Sequence, residues 1–254
     1  MNRRLLSATV IGCLGLASLS ACGSPGGDSQ KDVTIRVFAA SSLTGSFTTL
    51  GRQFEKAHPG TKVELNFGPS SGLAEQIGSG APADVFASAS PSNMETVVQA
   101  KEARQPRDFA TNSMEIAVPA SNPGHIRTLG DLAHPGVKVA LCQAQVPCGK
   151  AAAEVFANAK LAVKPATEEV DVKSVLTKVT LGEVDAGMVY VTDVLAAGEK
   201  VRGVVIPPDK NAETRYPIAT LSASRHAKTA GEFVDLVLSA AGAKVLQDAG
   251  FARP

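Results

Sequence analysis

Apolar and small residues recur along this chain with two alternating periods. Residues 33–39 (VTIRVFA) form a run of β-formers, and Leu43, Phe47, Leu50 and Phe54 follow at helical spacing. That predicts a strand and then a helix over about residues 43–56. His58-Pro59-Gly60 stops the helix. Residues 62–67 (KVELNF) alternate as a second strand, and Leu73 and Ile77 mark a short helix after Gly68-Pro69-Ser70-Ser71-Gly72. Residues 84–87 read as a third strand. Pro91 opens a helix carrying Met94, Val97 and Val98, with Ser90 expected as its cap. The same grammar resumes with strands over 115–119 and 137–142 and helices over 151–159 and 172–181. Residues 186–191 (AGMVYV) form a continuous apolar strand of the kind buried on both faces. Closing helices contain residues 233–238 and 243–246. Strands alternating with helices predict an α/β protein with mostly parallel sheets. Pattern alone leaves open whether there is one lobe or two.

The N-terminus departs from this grammar. Arg3 and Arg4 precede a mostly apolar stretch over residues 5–19, short for a membrane span. It ends in Leu19-Ser20-Ala21-Cys22, which is similar to the lipobox of bacterial lipoproteins. Residues 1–21 are therefore expected to be a signal peptide, with Cys22 lipidated and residues 22–32 a flexible tether. A plain signal peptide cut near Ala21 is the alternative. A lipid on one residue holds a protein on a membrane surface without spanning it. The protein would then be exported and held on the outer face of the cell membrane.

Export changes what the composition means. Cys13 leaves with the signal and Cys22 carries lipid, so Cys142 and Cys148 remain in an oxidising compartment. They are expected to pair, two free buried thiols being the alternative. Lys+Arg 25 against Asp+Glu 24 leaves a net charge of only +1, and removal of Arg3 and Arg4 makes it −1. No basic field exists to hold nucleic acid. The absence of Trp and an aromatic share of 4% leave few platforms for stacking bases or sugars. His58, His125, His134 and His226 are scattered without ligand spacing, so a metal centre has no support. No cofactor motif of the G-x-G-x-x-G or Walker A kind is present.

Three strand-to-helix junctions share one chemistry: Ala39-Ala40-Ser41-Ser42-Leu43-Thr44, Gly68-Pro69-Ser70-Ser71-Gly72-Leu73 and Val146-Pro147-Cys148-Gly149-Lys150. Each places small residues where a helix begins. Unpaired N–H groups and a partial positive charge make such a place an anion site without Lys or Arg. The plainer alternative is that Ser42 and Ser70 cap their helices. Lys150 and Lys173 stand beside these segments and are expected to be solvated helix residues. The second junction also matches G-x-S-x-G, so an exported serine hydrolase using Ser70 remains a remote alternative. It would need Asp171, Asp185 or Asp193 together with His226, and no oxyanion motif precedes it.

At these residues the chain resembles the molybdate-binding proteins of bacterial molybdate ABC transporters. The stretches that carry the resemblance are FAASSLT (38–44), GAPADVFASA (80–89), VPCG (146–149), DAGMVYVTD (185–193) and the final AGF (249–251). The resemblance implies a type II periplasmic-binding-protein fold, two α/β lobes joined by a two-segment hinge around a ligand cleft. Lobe I would take residues 33–113 plus 221–254, and lobe II residues 114–220. It also implies a ligand-binding set of Ser42, Ser70, Cys148, Val172 and Tyr190, contacting the oxyanion rather than its metal. Ser42, Ser70 and Tyr190 would give hydroxyls, while Cys148 and Val172 would give backbone N–H groups. Ser71 is the alternative register for Ser70. Cys148 departs from the small Ala usual in the family, and a free thiol there would alter the pocket. The implied function is capture of molybdate and tungstate for a permease with its cytoplasmic ATPase, by a monomer that is no enzyme and carries no cofactor. Sulfate or phosphate would be the nearest alternative ligand. With donors only, the site would disfavour protonated anions, and separation from sulfate would rest on size.

Overall fold

Each strand of the first half ends where a helix begins. In the computed structural model, which describes residues Asp32–Pro254, β1 (Val33–Ala40) passes through a 3-10 turn (Ser41–Leu43) into α1 (Thr44–Ala57). β2 (Thr61–Gly68), α2 (Ser70–Gly78), β3 (Val85–Ala87) and α3 (Pro91–Gln99) follow. β4 (Arg107–Pro119) leads to β5 (Val139–Cys142), α4 (Pro147–Ala159), β6 (Thr167–Glu169), α5 (Val172–Thr180) and β7 (Ala186–Tyr190). α6 (Val191–Ala197), β8 (Val201–Val205), β9 (Glu213–Thr220), α7 (Ala227–Leu238) and α8 (Ala240–Asp248) complete the chain. The signal segment, Cys13, Cys22 and the tether up to residue 31 lie outside the described residues. Among the described residues no helix is long and apolar enough to cross a membrane.

The apolar spacing read from α1 is its buried face. Phe47, Leu50 and Phe54 are fully buried, and Phe47 and Phe54 meet Phe233 of α7 edge-on. Burying each such side chain contributes about 1.5–3 kcal/mol. β7 is buried at all five positions, as its continuous apolar run predicts. Ser90 stands at the N-cap of α3, but its hydroxyl bonds the Ser92 hydroxyl at 2.9 Å instead of capping the backbone.

The strands run in the order β2-β1-β3-β9-β4-β7-β5-β6, with β8 also paired to β4. The expectation of mostly parallel pairing needs correction. Four pairings are parallel (β1–β2, β1–β3, β5–β6, β5–β7) and four are antiparallel. All the antiparallel ones involve β4 or β9. These two long strands carry the chain between two α/β halves. β4 pairs with β9 through Ser113 and with β7 and β8 from Met114 onward.

The cores divide at the same place. One apolar cluster draws its buried residues from between Met114 and Ala212. Two others draw on residues from Ile35 to Ala110 and again from Tyr216 to Phe251. Tyr216, Ile218 and Ala219, expected with the second lobe, thus pack with the first.

Candidate functional site

The carboxyl ends of β1, β2, β5 and β7 converge on one small cavity of about 20 Å³. Open α/β folds place their ligands at such strand ends. Ala40, Ser41 and Ser42 line it after β1, and Gly68, Pro69 and Ser70 after β2. Ala89, Val146, Pro147, Cys148, Asp171, Val172 and Tyr190 complete the wall. All five residues implied by the resemblance therefore meet at one place. Ser71 is not among the lining residues, and no Lys, Arg or His lines the cavity. Ser70, Cys148 and Val172 each sit in the first turn of a helix, where a backbone N–H has no carbonyl one turn back to reach.

Neither serine caps its helix. The Ser42 hydroxyl lies 3.0 Å from the hydroxyl of Tyr216 on β9. The Ser70 hydroxyl oxygen accepts the Ala89 N–H at 2.9 Å, which leaves its own proton to donate. Cys148 is bonded to Cys142 (S–S 2.01 Å), so the expected pairing is present and no free thiol faces the cavity. The bridge joins the end of β5 to the start of α4 and ties the first turn of that helix to the strand end.

Tyr190 ends β7 with its hydroxyl buried. The hydroxyls of Thr214 and Tyr216 are near it, yet none meets hydrogen-bond geometry, and it has no partner among the described residues. Burial pushes this phenol well above its ordinary range, so it stays protonated and able to donate. The Tyr190 N–H donates to Asp193 Oδ2 at 3.1 Å, and Lys173 Nζ bonds Asp193 Oδ1 at 2.7 Å. Asp193 is fully buried; burial raises its carboxyl and the Lys173 ammonium opposes the rise. Lys173 is thus corrected from a solvated residue to the partner of a buried carboxylate. Lys150 is exposed and reaches from α4 to the Ser92 hydroxyl on α3 at 2.9 Å.

Two lining residues were not foreseen in this role. Ser41 is buried, and its hydroxyl donates to Asp171 Oδ2 at 2.9 Å. Asp171 also caps α5, its Oδ1 accepting the Ser174 N–H at 2.8 Å. The expectation of a wall holding donors alone is therefore incomplete, because a carboxylate forms part of it. Asp171 lies between β6 and Val172 in the N-cap place, a local signal for its capping bond but not for its place in the cavity wall. Nothing in the sequence marked Tyr216.

The hydrolase arrangement is not assembled. His226 lies in a different pocket, with Arg36, Asp84 and Arg225, and its N–H donates to Ser224. Asp185 is engaged by the Lys138 N–H and Asp193 by Lys173, so neither is presented to Ser70. Among the described residues no group of three His, Cys, Asp or Glu is placed to hold a metal ion.

Residues 35–252 match the family model of bacterial extracellular solute-binding proteins. The chain belongs to that family. This solute-binding protein is 41% identical to the molybdate-binding protein ModA of Mycobacterium tuberculosis, over 98% of each chain. Its fold matches the periplasmic molybdate-binding protein of Azotobacter vinelandii with a TM-score of 0.77 at 22% identity, covering 87% of this chain and 99% of that one. It matches the sulfate-binding protein SubI of Mycobacterium tuberculosis with a TM-score of 0.75 at 18% identity, covering 87% of both. The solute-binding protein thus has the two-lobed α/β fold of the periplasmic binding proteins.

Proposed function

We propose that this protein captures molybdate outside the cytoplasm and presents it to a membrane permease driven by a cytoplasmic ATPase. The observation that carries this is the meeting of Ser42, Ser70, Cys148, Val172 and Tyr190 at one cavity without any cationic side chain. A fully ionised tetrahedral oxyanion needs donors on every oxygen, and these residues supply neutral ones. Hydrogen bonds to a charged acceptor contribute about 1.5–3 kcal/mol each, so a few of them suffice in a cleft that excludes water. The identity to ModA over nearly the whole chain supports molybdate over other anions. No bond of the ligand is made or broken, so the protein acts as a carrier and not as an enzyme.

Several finer points belong to the same proposal. Tungstate has the same charge and shape and is taken as a second ligand. Selection against sulfate rests on the larger radius of the heavier anions, read by donors fixed on backbone and short side chains. Lobe I is taken as residues 33–113 and the returning chain; the packing of Tyr216 and Ile218 with the first core supports a return near residue 213 rather than at 221. The protein is taken as a monomer; an anchor to the outer face of the cell membrane by lipid on Cys22 is supported by Leu19-Ser20-Ala21-Cys22 alone.

Titration calorimetry with molybdate, tungstate, sulfate and hydrogen phosphate tests the ligand. Tight binding of the first two and weak binding of the others is expected. The fold likeness to SubI makes sulfate the second reading, and sulfate binding as tight as molybdate would establish it.

A further inference from the structure

The Ser41–Asp171 hydrogen bond crosses the cleft. Ser41 follows Ala40, which belongs to the core of the first half, and Asp171 precedes Val172, which belongs to the core of the second. The carboxylate stands in the wall of a cavity otherwise built to hold an anion. An unscreened negative charge in the cavity wall would oppose a dianion strongly in a low-dielectric cleft. Both of its oxygens are instead engaged, Oδ1 by the first turn of α5 and Oδ2 by the hydroxyl from across the cleft.

We propose that Ser41 and Asp171 form a latch that sets both closure and anion selectivity, resting on the oxyanion-binding function above. Ser41 is a positioning residue: its hydroxyl occupies Oδ2 and ties the halves together when they meet. With that donor removed, Oδ2 is freed as an acceptor at the cavity. The freed carboxylate repels a fully ionised anion but can accept a hydrogen bond from a protonated one. Ser41 thereby favours anions that carry no proton.

A double-variant cycle reads this without depending on the fold. Ser41→Ala is expected to weaken molybdate binding by about tenfold, the effect of losing one charge-assisted bond and exposing a charge. Its ratio of hydrogen phosphate to molybdate affinity should rise relative to the native protein. Asp171→Asn retains an oxygen for the Ser174 N–H and removes the charge, so Ser41→Ala with Asp171→Asn together should recover most of the lost molybdate affinity. A purely structural contact would leave the double variant as weak as Ser41→Ala or weaker. The latch is overturned if Ser41→Ala binds molybdate within twofold of the native protein, or if the second substitution restores nothing. Should the native protein bind none of the four anions, the proposed function itself fails; native binding with indifferent variants rejects the latch alone.

Discussion

The hydroxyl of Tyr190 is buried and unmatched among the described residues. Leaving such a group unpaired costs a folded protein about 1–3 kcal/mol, which a bound oxyanion would offset by accepting its proton. Tyr190→Phe is therefore expected to leave the melting temperature unchanged or slightly raised while weakening molybdate binding by about 1–3 kcal/mol. Calorimetry and thermal melting on the same sample separate the two effects; unchanged affinity would remove Tyr190 from the site. At this scale Ser42, Ser70, Cys148, Val172 and Tyr190, the set that the resemblance implied, all line one cavity. The parts played by Ser41, Asp171 and Tyr216 could not be read from the sequence. Their bonds join positions 130 and 174 residues apart, and no local spacing encodes which hydroxyl will face which carboxylate. Lys173 was misjudged for the same reason, since its partner becomes visible only when α5 packs beside α6.

Among the elements, the β5–α4 junction shows how tightly the site is built. A Cβ on Gly149 would lie 2.0 Å from the Gln143 carbonyl oxygen, so only glycine allows the helix start to approach the strand end this closely. The Cys142–Cys148 bridge spans the same loop. Reducing it is expected to lower stability by roughly 2–2.5 kcal/mol, the chain-entropy value for so short a loop. Denaturant unfolding with and without reductant measures this, and a midpoint that does not move would show that the loop is held by packing alone. The elements most legible in the sequence were those with long apolar faces, such as α1 and β7. β6 and β8 were missed because they are short and largely exposed, and β8 presents Arg202 and Val205 to solvent. The first half of β4 was missed because Thr111 and Asn112, buried but polar, interrupt its apolar pattern.

For the whole molecule, the candidate cavity lies where two separately cored halves meet, and the Ser41–Asp171 and Lys150–Ser92 bonds bridge them. Closure of such halves around a ligand is the motion expected of the fold. Molybdate is expected to reduce the radius of gyration measured by small-angle scattering, and a radius insensitive to saturating molybdate would argue that the lobes do not move. The α/β class could be read from the alternation of periods, but the antiparallel pairing of β4 with β9 could not, since both segments lie far apart in the chain. That pairing constrains the motion. The two strands are paired side by side within the first half, from Arg107–Ile218 to Ser113–Glu213, and the pairing ends where they cross to the second half. They cannot act as independent tethers. Strands held in register up to the crossing resist sliding past one another, so the halves should swing like a book on a taped spine, with little freedom to shear.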